Sequence, residues 1–348
     1  MSIPTTYTAF RRTTGELPRT IQTTTETLRA DLKPRDVLIK IHAVSLNYRD
    51  VAMLNGTYPV EVEEQGIPCS DCAAEVVKTG SEVKDFSVGD HVSPIFDLGN
   101  IEKNDDAPAK ALGGDVAGVL REYAVFEERH LVKIPKQLSW EEGSTLACAG
   151  VTAWTALDSL HAAAENGSVL LQGTGGVSLF ALLLSVAAGL QAIVTSSSDE
   201  KIERLKKLSP RVEGINYKKT NDQLAEIQRL TNGRGVDFVV NNTGPGSIPD
   251  DIKALRARGG TVSLVGFLAG LQAAWPPAAL MALMGKSAKL KGIAVGSKED
   301  FQDLCQFLEE KKISLSPLID RVFSFTESEE AFNYLYSGSH IGKVVIKM

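Results

Sequence analysis

The residues with the clearest chemistry are Gly173, Thr174, Gly175, Gly176, Val177 and Ser178. They follow a short apolar run, Val169-Leu170-Leu171, and lead into an apolar helical segment that stops at Gly189. A second run, Ala192-Ile193-Val194-Thr195, comes next. Strand, glycine turn, helix and strand within about 30 residues is the βαβ unit that binds dinucleotides. The glycines allow a sharp turn and leave room for a pyrophosphate against backbone N–H groups. The helix N-terminus adds its partial positive charge. Gly173 to Val177 are therefore candidate cofactor contacts, while the third fingerprint position holds Ser178 instead of Gly or Ala.

The end of the second strand selects the dinucleotide. An NAD site has Asp or Glu about 20 residues past the first glycine, bonding the ribose 2′-OH. Here the candidates are Ile193, Val194, Thr195 and Ser196, none acidic. Ser196 and Ser197 offer hydroxyls, and Lys201 adds a positive charge one helical turn on. A hydrogen bond to a charged group contributes about 1.5–3 kcal/mol, so one contact to a 2′-phosphate favours NADPH by about ten-fold or more. The same residues also read as a helix start, with Ser198 as N-cap and Asp199 and Glu200 in the first turn. The two roles are compatible.

The elements that carry these residues follow from the pattern. Val177 to Val194 is 18 residues without a charge, at the lower limit for a membrane span. The glycine turn before it, Gly189 within it and β-branched residues at its end mark a buried helix followed by a strand buried on both faces. Residues 1–149 are strand-rich, with Asp36 to Val44 alternating, Ala73 to Val77, Phe86 to Pro94, Leu120 to Val125, and His130 to Pro135. Asp97 to Gly118 reads as a surface loop, and Ser139 to Glu142 as a capping box. Residues 150–294 continue the strand–helix alternation and supply six strands, the pattern of a doubly wound parallel sheet. The rest holds a helix over Asp300 to Glu310, a capping box at Thr326 to Glu329, and a strand from Gly342.

At 348 residues the chain has room for two cores, and 43% apolar with 23% charged residues is ordinary for a globular protein. The net charge of −6 and pI of about 5.5 give no basic signal for nucleic acid or an anionic membrane. The termini carry no apolar leader and no lipidation box. Four cysteines in a chain of this length do not suggest a disulfide framework, which predicts a cytoplasmic, reducing setting. The five histidines share no metal-like spacing and are expected on turns or the surface.

The stretches DVLIKIHAVSLNYRD, AAEVVKTGSEVKDFSVGDHVSP, LACAGVTAW, LLQGTGGVSLFAL, TSSSDEK, INY, ALRARGGTVSLVGF and GSHIGKVVI resemble the medium-chain dehydrogenase/reductase superfamily over essentially the full length. The chain looks most like its zinc-independent branch, the quinone oxidoreductases and enoyl reductases. The resemblance implies a GroES-like β-barrel domain (1–149 and 295–348) around an inserted Rossmann domain (150–294) with a doubly wound parallel six-stranded sheet. It also implies a cleft between the domains and a homodimer extended through the sheet edges.

Position by position, the resemblance bears on zinc. A catalytic zinc in this superfamily takes Cys, His and Cys. This chain has Asn47 in the first-ligand motif, Ser70-Asp71 at the His-Glu dipeptide, and only Cys148 at the third position. The structural zinc lobe needs four closely spaced cysteines, and none follows Cys72 until Cys148. Cys69-Ser-Asp-Cys72 has the C-x-x-C spacing without a second pair, so its cysteines are expected to be small buried side chains. No metal is expected.

Hydride transfer then relies on the cofactor, with the protein positioning the substrate and placing donors at the developing oxyanion. Asn47 and Tyr58 match positions lining the cleft in enoyl and quinone reductases, where the tyrosine is a proposed proton donor to the α-carbon. Tyr48 is a candidate carbonyl-binding phenol. The plainer role for Tyr58 is packing between the Gly56 turn and Pro59, and Arg49 with Asp50 reads as a structural ion pair. The resemblance also implies cofactor contacts at Thr152 near the nicotinamide, Tyr217 near the adenine, Asn242 and Thr243 near the ribose, Gly266 and Phe267 near the carboxamide, and Lys343 at the pyrophosphate. The expected activity is NADPH-dependent reduction of a small carbonyl-conjugated C=C or a quinone. Carbonyl reduction on the same scaffold, and NADPH binding without turnover, remain open.

Overall fold

The computed structural model describes residues 3–29, 31–103, 106–161 and 166–348. Asn104 and Asp105, inside the expected surface loop, lie outside the described residues. The chain divides into two compact units, Met1–Val151 with Gly296–Met348, and Thr152–Val295.

The first unit begins with a hairpin that hydrophobic patterning does not announce. Strand β1 (Thr6–Arg12) pairs antiparallel with β2 (Ile21–Thr27). The second strand is mostly polar (IQTTTET), and it is its β-branched threonines that suit a pleated, half-exposed position. There follow β3 (Asp36–Ser45), helix α1 (Tyr48–Leu54), β4 (Asp71–Thr79), β5 (His91–Pro94), β6 (Tyr123–Glu127) and β7 (Leu131–Lys133). The core of this unit gathers Leu38, Ile39, Ile41, Val44 and Leu46 with Val76, Val92, Leu120 and Leu131.

Two expectations for this unit need correction. The 97–118 stretch is exposed over 106–110, but Leu112 is 1% exposed and belongs to the core. Gly113, at φ 70°, lies so close to the Cys69 backbone that a Cβ there would stand 2.7 Å from its nitrogen and its oxygen. The histidines are not mainly surface residues either. The rings of His42 and His91 lie 4.3 and 4.0 Å from that of Trp140, and burial holds the imidazole of His130 below its ordinary pKa. Stacking on one tryptophan is invisible in the linear sequence.

Ser139 accepts from Glu142 N–H and Glu142 returns a bond to Ser139 N–H, closing the capping box that starts α2 (Trp140–Gly143). A π-turn over Leu146–Gly150 leads to α3 (Val151–Ala156). The second unit is β8 (Ser168–Gln172), α4 (Gly176–Ala187), β9 (Gln191–Ser196), α5 (Asp199–Lys206), β10 (Val212–Asn216), α6 (Gln223–Leu230), β11 (Phe238–Asn241), α7 (Ile248–Ala254), β12 (Thr261–Leu264), α8 (Met281–Lys286) and β13 (Lys289–Gly292). The strands are parallel in the order β10-β9-β8-β11-β12-β13. This is the doubly wound order, whose switch point lies between β8 and β11. Leu170, Ile193, Ile215, Val239 and Val262 fill its centre. Leu179, Phe180, Leu182 and Leu184 of α4 are fully buried, which accounts for the uncharged run. Among the described residues no helix is long and apolar enough to cross a membrane.

The chain then returns to the first unit with α9 (Lys298–Lys311), β14 (Ile319–Ser324), α10 (Ser328–Tyr336) and β15 (Lys343–Lys347). The expected capping box at Thr326 forms two residues earlier, between Ser324 and Glu327. Among the described residues the barrel sheet runs β14-β15-β3-β4-β5-β7, with β6 also paired to β3.

Candidate functional site

In the barrel unit, polar residues converge where β3 hands over to α1. Strand β15 runs antiparallel to β3, with Val345 opposite Ser45, and β4 lies on the other side with Asp71 opposite Ser45. Asn47, the N-cap of α1, donates its backbone N–H to Asp50 Oδ2 at 2.8 Å. Its Oδ1 accepts from Lys343 Nζ at 2.7 Å, and Lys343 also donates to the Leu46 carbonyl at 2.6 Å. Among the described residues, Asn47 Nδ2 and Asp50 Oδ1 are buried without a hydrogen-bond partner. Buried polar groups are rarely left so.

Asp71 takes a backbone N–H from Cys148 at 3.1 Å and the Ser70 hydroxyl on its other oxygen. Burial, reinforced by the negative charge of Asp71, pushes the Cys148 thiol up to about 12, against the opposing pull of Lys343 and Arg49. The thiol keeps its proton at neutral pH. Burial also raises the carboxyl of Asp50, opposed by Arg49 and the bond from Asn47. Cys69 and Cys72 are fully buried, with thiols driven up by desolvation. Among the described residues no group of three or more His, Cys, Asp or Glu is placed to hold a metal ion.

Arg49 does not bond to Asp50, contrary to the ion pair expected from their adjacency. Its Nη1 donates to the Leu112 carbonyl at 2.7 Å, its Nε to the Tyr58 hydroxyl at 3.4 Å, and its guanidinium carbon lies 5.4 Å from the Tyr58 ring and 4.8 Å from that of Phe96. The helical turn sends neighbouring side chains in different directions, and the burial of Leu112 supplies the acceptor. Tyr58 is half-buried; Tyr48, the first residue of α1, is 49% exposed.

In the nucleotide unit, Gly173 has φ 82° and donates its N–H to the Thr195 carbonyl at 3.0 Å. Gly175 caps α4, and Gly176 and Val177 form its first turn. A Cβ on Gly173 or Gly175 would meet nothing within 4 Å, so the turn faces open space. Ser178 explains why a third glycine is dispensable here. Its Oγ donates to the Gln172 carbonyl at 2.8 Å and accepts from Asn242 Nδ2 at 2.9 Å, tying helix to strand ends.

Asn242, Thr243 and Gly266 gather at the carboxyl ends of β11 and β12. Thr243 N–H donates to Gln172 Oε1 at 3.2 Å and Gly266 N–H to the Asn241 carbonyl at 3.2 Å. Phe267 follows, half-buried. At the ends of β9 and β10, Ser196 is buried and accepts from Ser198 N–H, Ser197 is exposed, Lys201 lies in the first turn of α5, and Tyr217 is 47% exposed with its N–H on the Ser196 carbonyl. Thr152 is buried, and its carbonyl accepts from the Thr155 hydroxyl. Lys343 lies with Asn47 in the barrel unit.

Sequence reasoning passed over a buried network beneath the turn. Gln172 Nε2 donates to Asp251 Oδ1, and Asn241 Nδ2 and the Ser247 hydroxyl donate to Asp251 Oδ2. The available signal was Gln172 itself, a polar residue closing an apolar strand.

Residues 33–136 match the family model of the alcohol dehydrogenase GroES-like domain, and residues 176–310 that of the zinc-binding dehydrogenases. A zinc-type alcohol dehydrogenase-like protein of Schizosaccharomyces pombe is 40% identical over 323 residues, 91% of this chain and 92% of its own. The 2-methylene-furan-3-one reductase of Solanum lycopersicum is 32% identical, covering 91% of this chain and 72% of its own. A crystal structure described as an alcohol dehydrogenase from Sinorhizobium meliloti 1021 shares the fold at a TM-score of 0.89, with 32% identity and full coverage of both chains.

Proposed function

Because the chain belongs to the medium-chain dehydrogenase/reductase superfamily, we propose that it is an NADPH-dependent, metal-free oxidoreductase reducing a C=C bond conjugated to a carbonyl, or a quinone. The main support is the donor set of the barrel unit. Where a metal-binding relative has two cysteines and a histidine, this chain has Asn47 engaged with Lys343 and Ser70 bonded to Asp71, which leaves Cys148 as the single thiol. A divalent ion would find one thiol and no imidazole there, short of the Cys, His and Cys set that a catalytic zinc takes in this superfamily, so these residues do not fit it.

The nucleotide unit is read as the NADPH site, with Gly173 to Val177 at the pyrophosphate, Ser196, Ser197 and Lys201 at the 2′-phosphate, Tyr217 at the adenine, and Asn242, Thr243, Gly266, Phe267 and Thr152 toward the ribose and nicotinamide. When bound, NADPH supplies the hydride. Asn47 Nδ2–H is the donor to the substrate oxygen as negative charge builds there, where a preorganised hydrogen bond counts most. Tyr58 is the proton donor to the α-carbon, held by Arg49, and Tyr48 presents a second phenol from the first turn of α1. A conjugated carbonyl suits this set because the acceptor is already electrophilic, and the tomato relative is named for such a compound. Carbonyl reduction is the second reading, favoured by the alcohol dehydrogenase-like name of the yeast relative.

A homodimer through the outer edge of β13 is part of the same proposal, supported by the exposure of Leu290 on that strand and of Met281 and Met284 in the helix before it. The free thiols of Cys69, Cys72, Cys148 and Cys305 fit a reducing cytoplasm. The test is NADPH oxidation by the purified protein against a quinone, a simple enone and an aldehyde, with and without a chelator. Turnover of the first or second that survives chelation is expected; turnover confined to the aldehyde, or abolished by the chelator, overturns the proposal.

A further inference from the structure

Strand register brings Lys343 to Asn47. With Val345 opposite Ser45 and Ile346 opposite Val44, the antiparallel pairing of β15 and β3 continued two residues outward sets Lys343 across from Asn47. Leu46 N–H bonds the Val344 carbonyl at 2.9 Å and keeps that register past the end of the strand. Lys343 is only 2% exposed, an expensive position for an ammonium unless its donors are matched. Two of its three donors are matched, by the Leu46 carbonyl and Asn47 Oδ1.

We infer that Lys343 is a positioning residue for Asn47, fixing its carboxamide so that Nδ2, and not Oδ1, is offered to the substrate oxygen. The inference rests on the proposed role of Asn47 as a donor. A carboxamide has a donor end and an acceptor end, whereas an ammonium carries donors alone. Turning Asn47 over would set its NH2 against Lys343 and present an acceptor to a substrate oxygen. With Oδ1 held, the remaining N–H is also polarised by its charged neighbour, as linked hydrogen bonds strengthen one another. The buried Nδ2 without a partner is the donor left over by this arrangement. The Lys343 charge stands among the buried Asp50, Asp71 and Arg49, so its removal also unbalances that set.

This differs from the pyrophosphate contact that family resemblance implies for Lys343, and the two roles separate experimentally. In K343M, kcat with an enone should fall about ten-fold or more while the Kd for NADPH stays within about two-fold. K343R, which also carries only donors, should recover part of the turnover. N47D satisfies Lys343 but offers no N–H, and should lose turnover as N47A does. In the double-mutant cycle, K343M/N47A should be no slower than N47A alone. A ten-fold loss of NADPH affinity in K343M with kcat preserved, or losses that multiply in the double variant, overturns the inference. If K343M does not fold, K343Q enters the same cycle with the same outcomes. Unchanged turnover in both N47A and N47D would instead remove the donor role of Asn47, and an inactive wild type the proposed function.

Discussion

Gln172 and Asp251 are joined side chain to side chain at 2.7 Å beneath the glycine turn. Through its other end, Gln172 receives Thr243 N–H, so one amide links a buried carboxyl to a loop proposed to touch the cofactor. Burial pushes the Asp251 carboxyl up to about 7, although Ser247, Asn241 and Gln172 all donate to it. A carboxyl whose pKa is higher folded than unfolded favours the folded state while protonated. That contribution is complete below the ordinary carboxylate value and is lost as pH rises through about 7. The stability contributed by Asp251 should therefore decline from about pH 4 to pH 7, by an amount on the order of 2–4 kcal/mol. Denaturant melts of wild type and D251N across that range test this. The two curves should differ by that contribution, with the D251N protein losing less stability as pH rises, and an identical slope in both would acquit Asp251.

Gly173 and Gly175 both face open space, yet only Gly173 sits at positive φ. The two glycines should thus fail differently. G173A forces an alanine into the left-handed region and should cost about 1–2 kcal/mol of stability as well as NADPH affinity. G175A has no backbone strain, so its melting temperature should stay near wild type while its methyl crowds the pyrophosphate. A G175A protein with full NADPH affinity would place the cofactor elsewhere.

The residues proposed to recognise the 2′-phosphate at the end of β9 differ in exposure. Ser196 is buried, with its hydroxyl accepting from Ser198 N–H, and Lys201 is half-buried, so Ser197 is the most exposed of the three proposed phosphate contacts. Asp199, the nearest carboxylate in sequence, is held low in pKa by its bond from Lys219 and a second from Asn216. S197D should therefore weaken NADPH binding about ten-fold or more and leave NADH binding unchanged or stronger, since a carboxylate repels the phosphate and accepts from a ribose hydroxyl. Isothermal titration with both nucleotides reads the result; equal losses for the two would count against phosphate recognition here.

Much of this was legible in the chain because the nucleotide unit is built from local, strongly periodic segments. The glycine turn, the Ser198 cap and the buried strands Val169–Leu171 and Ala192–Thr195 all follow from neighbours in sequence. The barrel unit is assembled from distant partners, and there the reading thins. Lys343 meets Asn47 only through the register of β15 on β3. Arg49 prefers Leu112 to its neighbour Asp50 because Leu112, Val119 and Leu120 fold into the core, which their charged and glycine-rich surroundings conceal. The strand Ile21–Thr27 was missed because its threonines give no apolar alternation.

Tyr58 is the proposed proton donor to the α-carbon, and its setting makes a clean variant possible. Arg49 grips the ring face and the hydroxyl together, and is itself fixed by the Leu112 carbonyl and the Phe96 ring. Tyr58→Phe keeps the cation over the ring and removes only a 3.4 Å bond at a half-buried site, so stability should change by less than about 1 kcal/mol. Loss of a general acid lowers rate by about 100-fold or more. The Y58F variant should therefore show that fall in kcat with an enone and an NADPH Kd unchanged. With a quinone, which takes its protons on oxygen and can exchange them with water, the fall should be smaller. Equal losses on both substrates would mean that Tyr58 positions the acceptor without protonating carbon, and unchanged turnover on both would leave it a packing residue between Gly56 and Pro59.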